Sequence, residues 1–543
     1  MRDQALWNFA KNLFLLALSL FFLPIDTAII AALSVQNRIR PSKPQDDVPT
    51  PPSHRKTILV TGMSMSKGLV MARLFHRKGH RVIGADVHPL AMGRVSASLD
   101  KFYVLPAISH SNKGTTSPVE EEIENEIDDL YVLKLLDIVK KEDVDLWISV
   151  SDVNAAMKDA VARDVIEMHT KAKAVQFGAK DVRNLDEKDA FIEHTRYLGL
   201  PVPDSQVVTS RDAVIEFLKK RGGLRLLPGG HGTQYILKPI RVDDFLRNEK
   251  VILPLATEQE TLRRLDAIPA FQQQQQSSAA PFPHEKPSFI LQEFIRGREF
   301  CTHALVVKGR VRAFTACPSA SVLMQYTALP EESPLCRAML AFTRIMTGAG
   351  GSEWTGHVSY DFLVRRRRNV GGSASSSSVG GEKDKDEDVW IYPIECNPRV
   401  HTAVVLFNDT PDLVDEYLAI LDGDAEQRSV RRRRSTSSND PVYPKSPSKQ
   451  YYWVGQDLVE RVIYPVFQYL FASGTLTRSQ LQASVWEFGQ HLRYWKDGTF
   501  EAWDPWPWWW LYHVYWPVRF AGFLVWGRWN MINVSTGKAF KTR

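Results

Sequence analysis

The chain has 543 residues, 44% of them hydrophobic and 24% charged, so it is too long for one ordinary core and too apolar to be disordered throughout; two or three domains are expected. Its net charge of +6 sits partly in Arg365 to Arg368 and Arg431 to Arg434, inside charged or Ser-rich stretches with no nucleic-acid motif beside them, and these read as solvated loops rather than a nucleic-acid footprint. Cys301, Cys317, Cys336 and Cys396 show no CxxC spacing, which argues against a zinc site or a disulfide framework and for a reducing compartment.

Residues 1–40 carry an apolar run, Leu13 to Leu23, interrupted at Pro24 and Asp26 before Ala28 to Leu33 resumes it. Three readings compete: a cleaved signal peptide, a single membrane span kinked at Pro24, and a shallow hairpin turning at Pro24-Ile25-Asp26. Retained membrane attachment is favoured, because a chain without disulfides has little reason to be secreted. Arg38, Arg40 and Lys43 then place the rest of the chain on the cytoplasmic side. A proline-rich linker fills 41–55.

Residues 56–175 read as a βαβ-type, Rossmann-like domain. Thr57 to Gly62 is a buried strand ending in a turn, Leu69, Ala72, Leu74 and Phe75 have helical spacing, and Gly79 to Asp86 is a second strand. Phe102 to Pro106 and Val144 to Val150 add strands, with a helix over Leu130 to Lys141. The turn Gly62-Met63-Ser64-Met65-Ser66-Lys67-Gly68 lacks the G-x-G-x-x-G spacing of a dinucleotide fingerprint, and Asp86 alone is weak evidence for one.

Residues 176–424 change character. A helix starts near Lys188, strands follow at Tyr235 to Pro239 and Ser288 to Ile295, and Ala304 to Val307 and Val311 to Ala316 form a hairpin. Low-complexity inserts are expected at 267–285 and 365–388, and a disordered insert at 425–449. Two further strands carry a possible metal site: Asp361 lies in Ser359 to Val364, and Glu395 and Asn397 lie in Trp390 to Arg399. Glu395 and Asn397 are two apart, so a strand points both to one face, and Asp361 can join them if the strands pair. Hard oxygen donors of this kind suit one or two Mg²⁺ ions, with room left for nucleotide phosphates.

Residues 450–543 are crowded with tryptophan: Trp503, Trp506, Trp508, Trp509, Trp510, Trp516, Trp526 and Trp529. Pro517 and Arg519 argue against a span. The aromatics suit the headgroup level of a membrane, or else a core or a dimer contact.

Glu395-Cys396-Asn397-Pro398-Arg399 after an apolar strand resembles the metal-binding strand of ATP-grasp ligases, and the order of features resembles that superfamily over roughly Lys188 to His401. The resemblance implies an ATP-grasp fold behind the Rossmann-like domain, α/β and α+β together, with ATP and Mg²⁺ (or Mn²⁺) as cofactors. It puts Lys188 and Lys238 on the phosphates, and Gln292, Glu293, Ile295 and Glu299 on the base and ribose. Asp361, Glu395 and Asn397 hold the metal, while Arg399, with Lys238, stabilises the transferring phosphoryl group. One departure stands out: after Lys238 the chain reads Pro239 to Arg247 without the usual glycine-rich flap, so either Arg241 and Arg247 cover the phosphates or the site is degraded.

Gln292 to His303, Ile394 to Ala403, the apolar N-terminus and the tail ending Asn533 to Lys538 are similar to the mycosporine-glycine synthetases. That similarity implies joining of an amino acid to 4-deoxygadusol through phosphorylation of its enol oxygen, with Cys301, His303 and His401 lining the acceptor pocket. A carboxylate–amine ligase on the same scaffold, and a nucleotide-binding membrane scaffold without turnover, stay open. The expected partners are small molecules and a membrane surface, with no nucleic acid.

Overall fold

A computed structural model describes residues 2–39, 55–107, 118–150, 152, 155–227, 232–239, 251–269, 271–272, 289–319, 324–366, 389–421, 440–471, 476–526, 530–532 and 539–541. Arg241, Arg247, Gln273 to Gln276, most of the insert expected at 365–388, Arg431 to Arg434 and Trp529 lie outside the described residues.

Helix α1 (Arg2–Ile39) runs unbroken through Pro24. The hairpin reading of this segment is therefore corrected: the proline removes one N–H bond within a long helix, which costs stability without forcing a turn. By length and composition alone, Phe9–Ile39 is long and apolar enough to cross a membrane.

Strands β1 (Thr57–Thr61), β2 (Arg81–Asp86), β3 (Lys101–Val104), β4 (Leu146–Ile148) and β5 (Lys173–Val175) form a parallel sheet in the order β3-β2-β1-β4-β5. Helices α2 (Ser66–Arg77), α3 (Pro118–Glu142) and α4 (Ala156–His169) cover it. Alternation decides the faces. Ile58, Val60, Val82 and Ile148 pack with Leu69 and Phe75 of α2 in one core, while Leu59, Ile83 and Trp147 pack with Leu135 of α3 and Ile166 of α4 in another. Gly62 ends β1 with φ +70, and a Cβ there would sit 1.8 Å from the carbonyl oxygen of Val150, so only glycine fits this turn.

A second sheet is antiparallel, in the order β6-β9-β7-β8, from β6 (Ser205–Val208), β7 (Tyr235–Pro239), β8 (Val251–Leu253) and β9 (Phe289–Glu293). Helices α5 (Lys188–Tyr197), α6 (Arg211–Lys220) and α7 (Glu258–Asp266) accompany it. A third sheet orders as β11-β10-β12-β13, from β10 (Arg298–Val307), β11 (Arg310–Pro318), β12 (Gly356–Arg366) and β13 (Val389–Asn397). Helices α8 (Pro334–Ala349) and α9 (Asp412–Leu418) pack against β11.

The chain divides into two compact units that do not follow the expected boundaries. Unit 1 takes Met1–Arg183, Cys301–Ser359 and Asn397–Arg543, and unit 2 takes Asn184–Phe300 and Tyr360–Cys396. Segments 301–359 and 397–424, expected in one domain with Lys188, belong instead with the parallel sheet. The reason is a shared core: Leu305, Val404, Phe407, Trp453, Leu511 and Tyr515 pack in the same cluster as Ile58 and Phe75. The expected insert 425–449 is also shorter than anticipated, since Val442 bridges to Ala313 and Lys449 pairs with Asp409 at 2.7 Å.

The C-terminal segment holds helix α10 at 454–471, helix α11 (Arg478–Tyr494) and helix α12 at 506–526; α10 and α12 each contain a π-helical turn, Val459–Ile463 and Leu511–Tyr515. The reading of its tryptophans as headgroup-level aromatics is corrected for several. Trp503 stacks on His76, Trp510 donates to the Leu90 carbonyl at 3.0 Å, and Trp508 and Trp516 are buried. Asp504 is the fastener. Its carboxylate accepts from Arg73 Nε at 2.9 Å, Ser96 Oγ at 2.6 Å and Ala97 N at 2.8 Å, and both ionic partners are buried. Helix α1 lies along α12: Ser19 Oγ donates to the Tyr512 carbonyl at 2.8 Å, and Asp26 meets His513 Nε2 at 2.8 Å.

Candidate functional site

In unit 2, strand periodicity sorts the second sheet into a core face and a polar face. Leu237, Leu253, Leu291 and Phe289 pack against Val214 and Phe217 of α6 and Leu265 of α7. Register pairs Lys238 with Ile290 and Ile236 with Gln292, so Lys238 and Gln292 are diagonal neighbours on the face opposite Leu237 and Leu291. There the Lys238 ammonium donates to Gln292 Oε1 at 2.8 Å, and Gln292 is buried.

Lys188 is the first residue of α5, and Phe191, one turn on, stacks on Tyr360 of β12 with ring centroids 5.9 Å apart. This packing brings Lys188 Nζ to 3.9 Å from Glu395 Oε1 of β13. Burial first, and then the charge of Lys188, lowers the pKa of Lys238 to about 8, against the pull of Glu395 and Glu299. Lys188, Glu395 and Glu299, each from a different segment, therefore all bear on Lys238 within unit 2. Glu299 is exposed at the start of β10, Ile295 is buried, and Glu293 faces Arg365 at 3.4 Å. Gly297 lets this connection pass β12 closely, since a Cβ there would lie 2.3 Å from the Val364 carbonyl oxygen. Asp361 sits half-buried on β12, next to β13 in the sheet order.

The remaining expected residues lie in unit 1. Asn397 ends β13, and its side-chain oxygen accepts from Arg399 Nη2. Cys301 and Cys317, on neighbouring strands, are buried with sulfurs 3.4 Å apart; the contact with Cys317, then burial, push the Cys301 thiol well above its usual range. None of the four cysteines is in a disulfide. His303 stacks on His357 at 5.6 Å and accepts from the His401 backbone N–H at 3.4 Å. Burial, then His357, His401 and Lys67, hold the His303 pKa well below the usual value, so its ring is neutral.

Lys67 is the residue that the sequence reading passed over. It is the second residue of α2, is buried, and donates to the Val400 carbonyl at 2.9 Å, one residue from both Arg399 and His401. Burial, then Arg399, lower its pKa to about 7, with Asp152 opposing. The available signal was a lysine at the helix start directly after the first strand, in a turn weighed only as a dinucleotide motif.

No family model and no curated protein matches the chain. Among solved structures it is similar to N5-carboxyaminoimidazole synthetase from Staphylococcus aureus complexed with ADP, at 10% identity and TM-score 0.39, over 65% of this chain and 73% of that one. It is similar to an L-amino acid ligase from Bacillus licheniformis at 13% identity and TM-score 0.37, over 65% and 69% respectively. The biotin carboxylase domain of a thermophilic 2-oxoglutarate carboxylase bound to bicarbonate gives 13% identity and TM-score 0.42, over 71% and 72%.

Proposed function

We propose that this chain is a membrane-attached, ATP- and Mg²⁺-dependent ligase that forms a C–N bond. One observation carries the reading: Lys188, Glu299 and Glu395, drawn from three further segments, all act on Lys238 within unit 2, and Lys188 lies 3.9 Å from Glu395. A buried ammonium whose charge is disfavoured by a second lysine is relieved by a polyanion, and a triphosphate supplies one. Lys188 and Lys238 hold the phosphates, and Gln292, Glu293, Ile295 and Glu299 receive the base and ribose. The oxygen donors of Asp361 and Glu395, with Asn397 two residues along the same strand, suit Mg²⁺, which would neutralise phosphate charge when bound.

The acceptor is a β-diketone enol of the 4-deoxygadusol class, and the amine is an amino acid. The enolate oxygen attacks the γ-phosphorus and ADP leaves; the amine then adds to the carbon bearing the phosphorylated oxygen and gives up a proton, and the C–O bond breaks to release inorganic phosphate, leaving an enaminone. Lys67 and Arg399 supply positive charge for the enolate beside His401 and the neutral ring of His303, and Cys301 stays a protonated thiol. Arg399 also balances charge on the transferring phosphoryl group. Helix α1 attaches the protein to a bilayer with the ligase on the cytoplasmic side.

Mass spectrometry after incubation with ATP, Mg²⁺, 4-deoxygadusol and mixed amino acids tests the reading. An enaminone one amino acid heavier is expected. Amides formed from a panel of carboxylic acids, with no enaminone, would make it a carboxylate–amine ligase, and no ADP with any substrate would leave a scaffold.

A further inference from the structure

Helix α11 has an apolar stripe of which Leu481 and Phe488 are only half-buried and Val485 and Leu492 are exposed. Leu481, Val485, Phe488 and Leu492 recur at the i, i+4, i+7, i+11 spacing that normally marks a core-facing side, yet His491 is the one residue of this helix that is buried. Trp486 is 71% exposed, and Tyr494 also faces solvent. Helix α10 beside it exposes Leu470 and Tyr464.

Polar contacts hold the root of the pair. Asp457 accepts from Arg461 Nε at 3.0 Å and meets His491 Nδ1 at 2.9 Å, and Ser484 Oγ donates to the Arg461 carbonyl at 2.8 Å. From Tyr464 to Tyr494 the sequence has a single acidic residue, Glu487, and it is engaged by Arg461. Arg478 and Arg493 are exposed. The root is also continuous with α1, because Tyr512 accepts from Ser19 through its carbonyl and from the Gly455 N–H through its hydroxyl, at 3.2 Å.

We propose that α10 and α11 form a second membrane contact, lying in the surface of a lipid bilayer with Leu470, Val485, Trp486 and Leu492 among the acyl chains and Arg478 and Arg493 at the headgroups. This rests on the reading of α1 as membrane-attached. A bilayer is the occupant that matches an apolar ridge rimmed by Tyr, Trp and Arg and tied to an apolar helix of spanning length.

The test uses the full chain with an environment-sensitive fluorophore on Leu470→Cys, Trp486→Cys, Leu20→Cys or Lys220→Cys, the native cysteines being buried. Each protein is mixed with vesicles of phosphatidylcholine and phosphatidylglycerol, with and without spin-labelled lipid. Labels at 470, 486 and 20 should shift to the blue and be quenched about twofold or more by the spin label, while the label at 220 stays aqueous. Quenching at 20 without quenching at 470 and 486 overturns the second contact and leaves the α1 reading standing. Quenching at none of them overturns both. A blue shift at 470 and 486 that grows with protein concentration without lipid would assign the face to self-association and also overturn the proposal.

Discussion

Lys238 donates its ammonium proton to Gln292 Oε1 at 2.8 Å across two neighbouring antiparallel strands, while the charge of Lys188 helps lower its pKa to about 8. Phosphate binding favours the charged lysine, so nucleotide affinity should be highest below pH 8 and fall as pH rises through it. Calorimetric titration with ATP from pH 6.5 to 9.5 checks this. Lys238→Arg should retain affinity at the alkaline end, and Lys238→Met should lower phosphate release by about 100-fold or more.

Glu395 faces Lys188 at 3.9 Å and is, with Asp361, a proposed metal carboxylate. Glu395→Gln keeps the shape and removes the charge. The Mg²⁺ concentration needed for half-maximal phosphate release should rise about tenfold or more, with a smaller change in ATP affinity measured without metal. An unchanged Mg²⁺ requirement would take Glu395 out of the metal site.

Lys67 separates acceptor binding from nucleotide binding. Lys67→Met should raise the acceptor KM by about tenfold or more and leave ATP affinity within about twofold of the parent. Equal loss of both would mean that the buried lysine, which reaches the Val400 carbonyl, holds structure instead.

Arg73 and Asp504 are buried, and removing one partner strands the other charge. Asp504→Ala should cost about 3–5 kcal/mol of stability, read as a lowered Tm. Replacing both partners with apolar residues should recover part of that loss.

Glu142 accepts from the Tyr103 hydroxyl and is paired with Lys101 and Arg81; the Tyr103 bond is the largest cause of its pKa being lowered to about 2. A depressed carboxylate contributes stability that is fully present above the unfolded value near 4.5 and is lost as pH falls toward 2. Acid unfolding of Glu142→Gln should start from a less stable protein and show a shallower pH dependence across that window.

Much of the local structure is legible in the sequence, because periodicity writes buried faces directly. Thr57 to Gly62 and Tyr235 to Pro239 read as strands and are strands, and the polar face that carries Lys238 follows from alternation about Leu237. Glu395 reads as a site residue from strand alternation, Lys188 only through a resemblance, and the structure brings them within 3.9 Å. The unit boundaries were not legible. Nothing local in Leu511 or Val404 says that it packs in one cluster with Ile58, since that is a property of the collapsed chain and not of any window of residues. The tail misled for a related reason: composition counts tryptophans but cannot tell Trp510, bonded to Leu90, from Trp486, which faces outward.

The core that joins Ile58 to Trp516 also sets an order of events during synthesis. The ribosome has finished unit 2 once Cys396 has emerged, so that unit is free to fold early. The first sheet must wait, with Arg73 uncompensated, until Asp504 arrives 431 residues later. A premature stop ahead of that aspartate would therefore spoil a sheet made long before the stop, and proteolysis of such a product should begin in the parallel sheet rather than at the cut end.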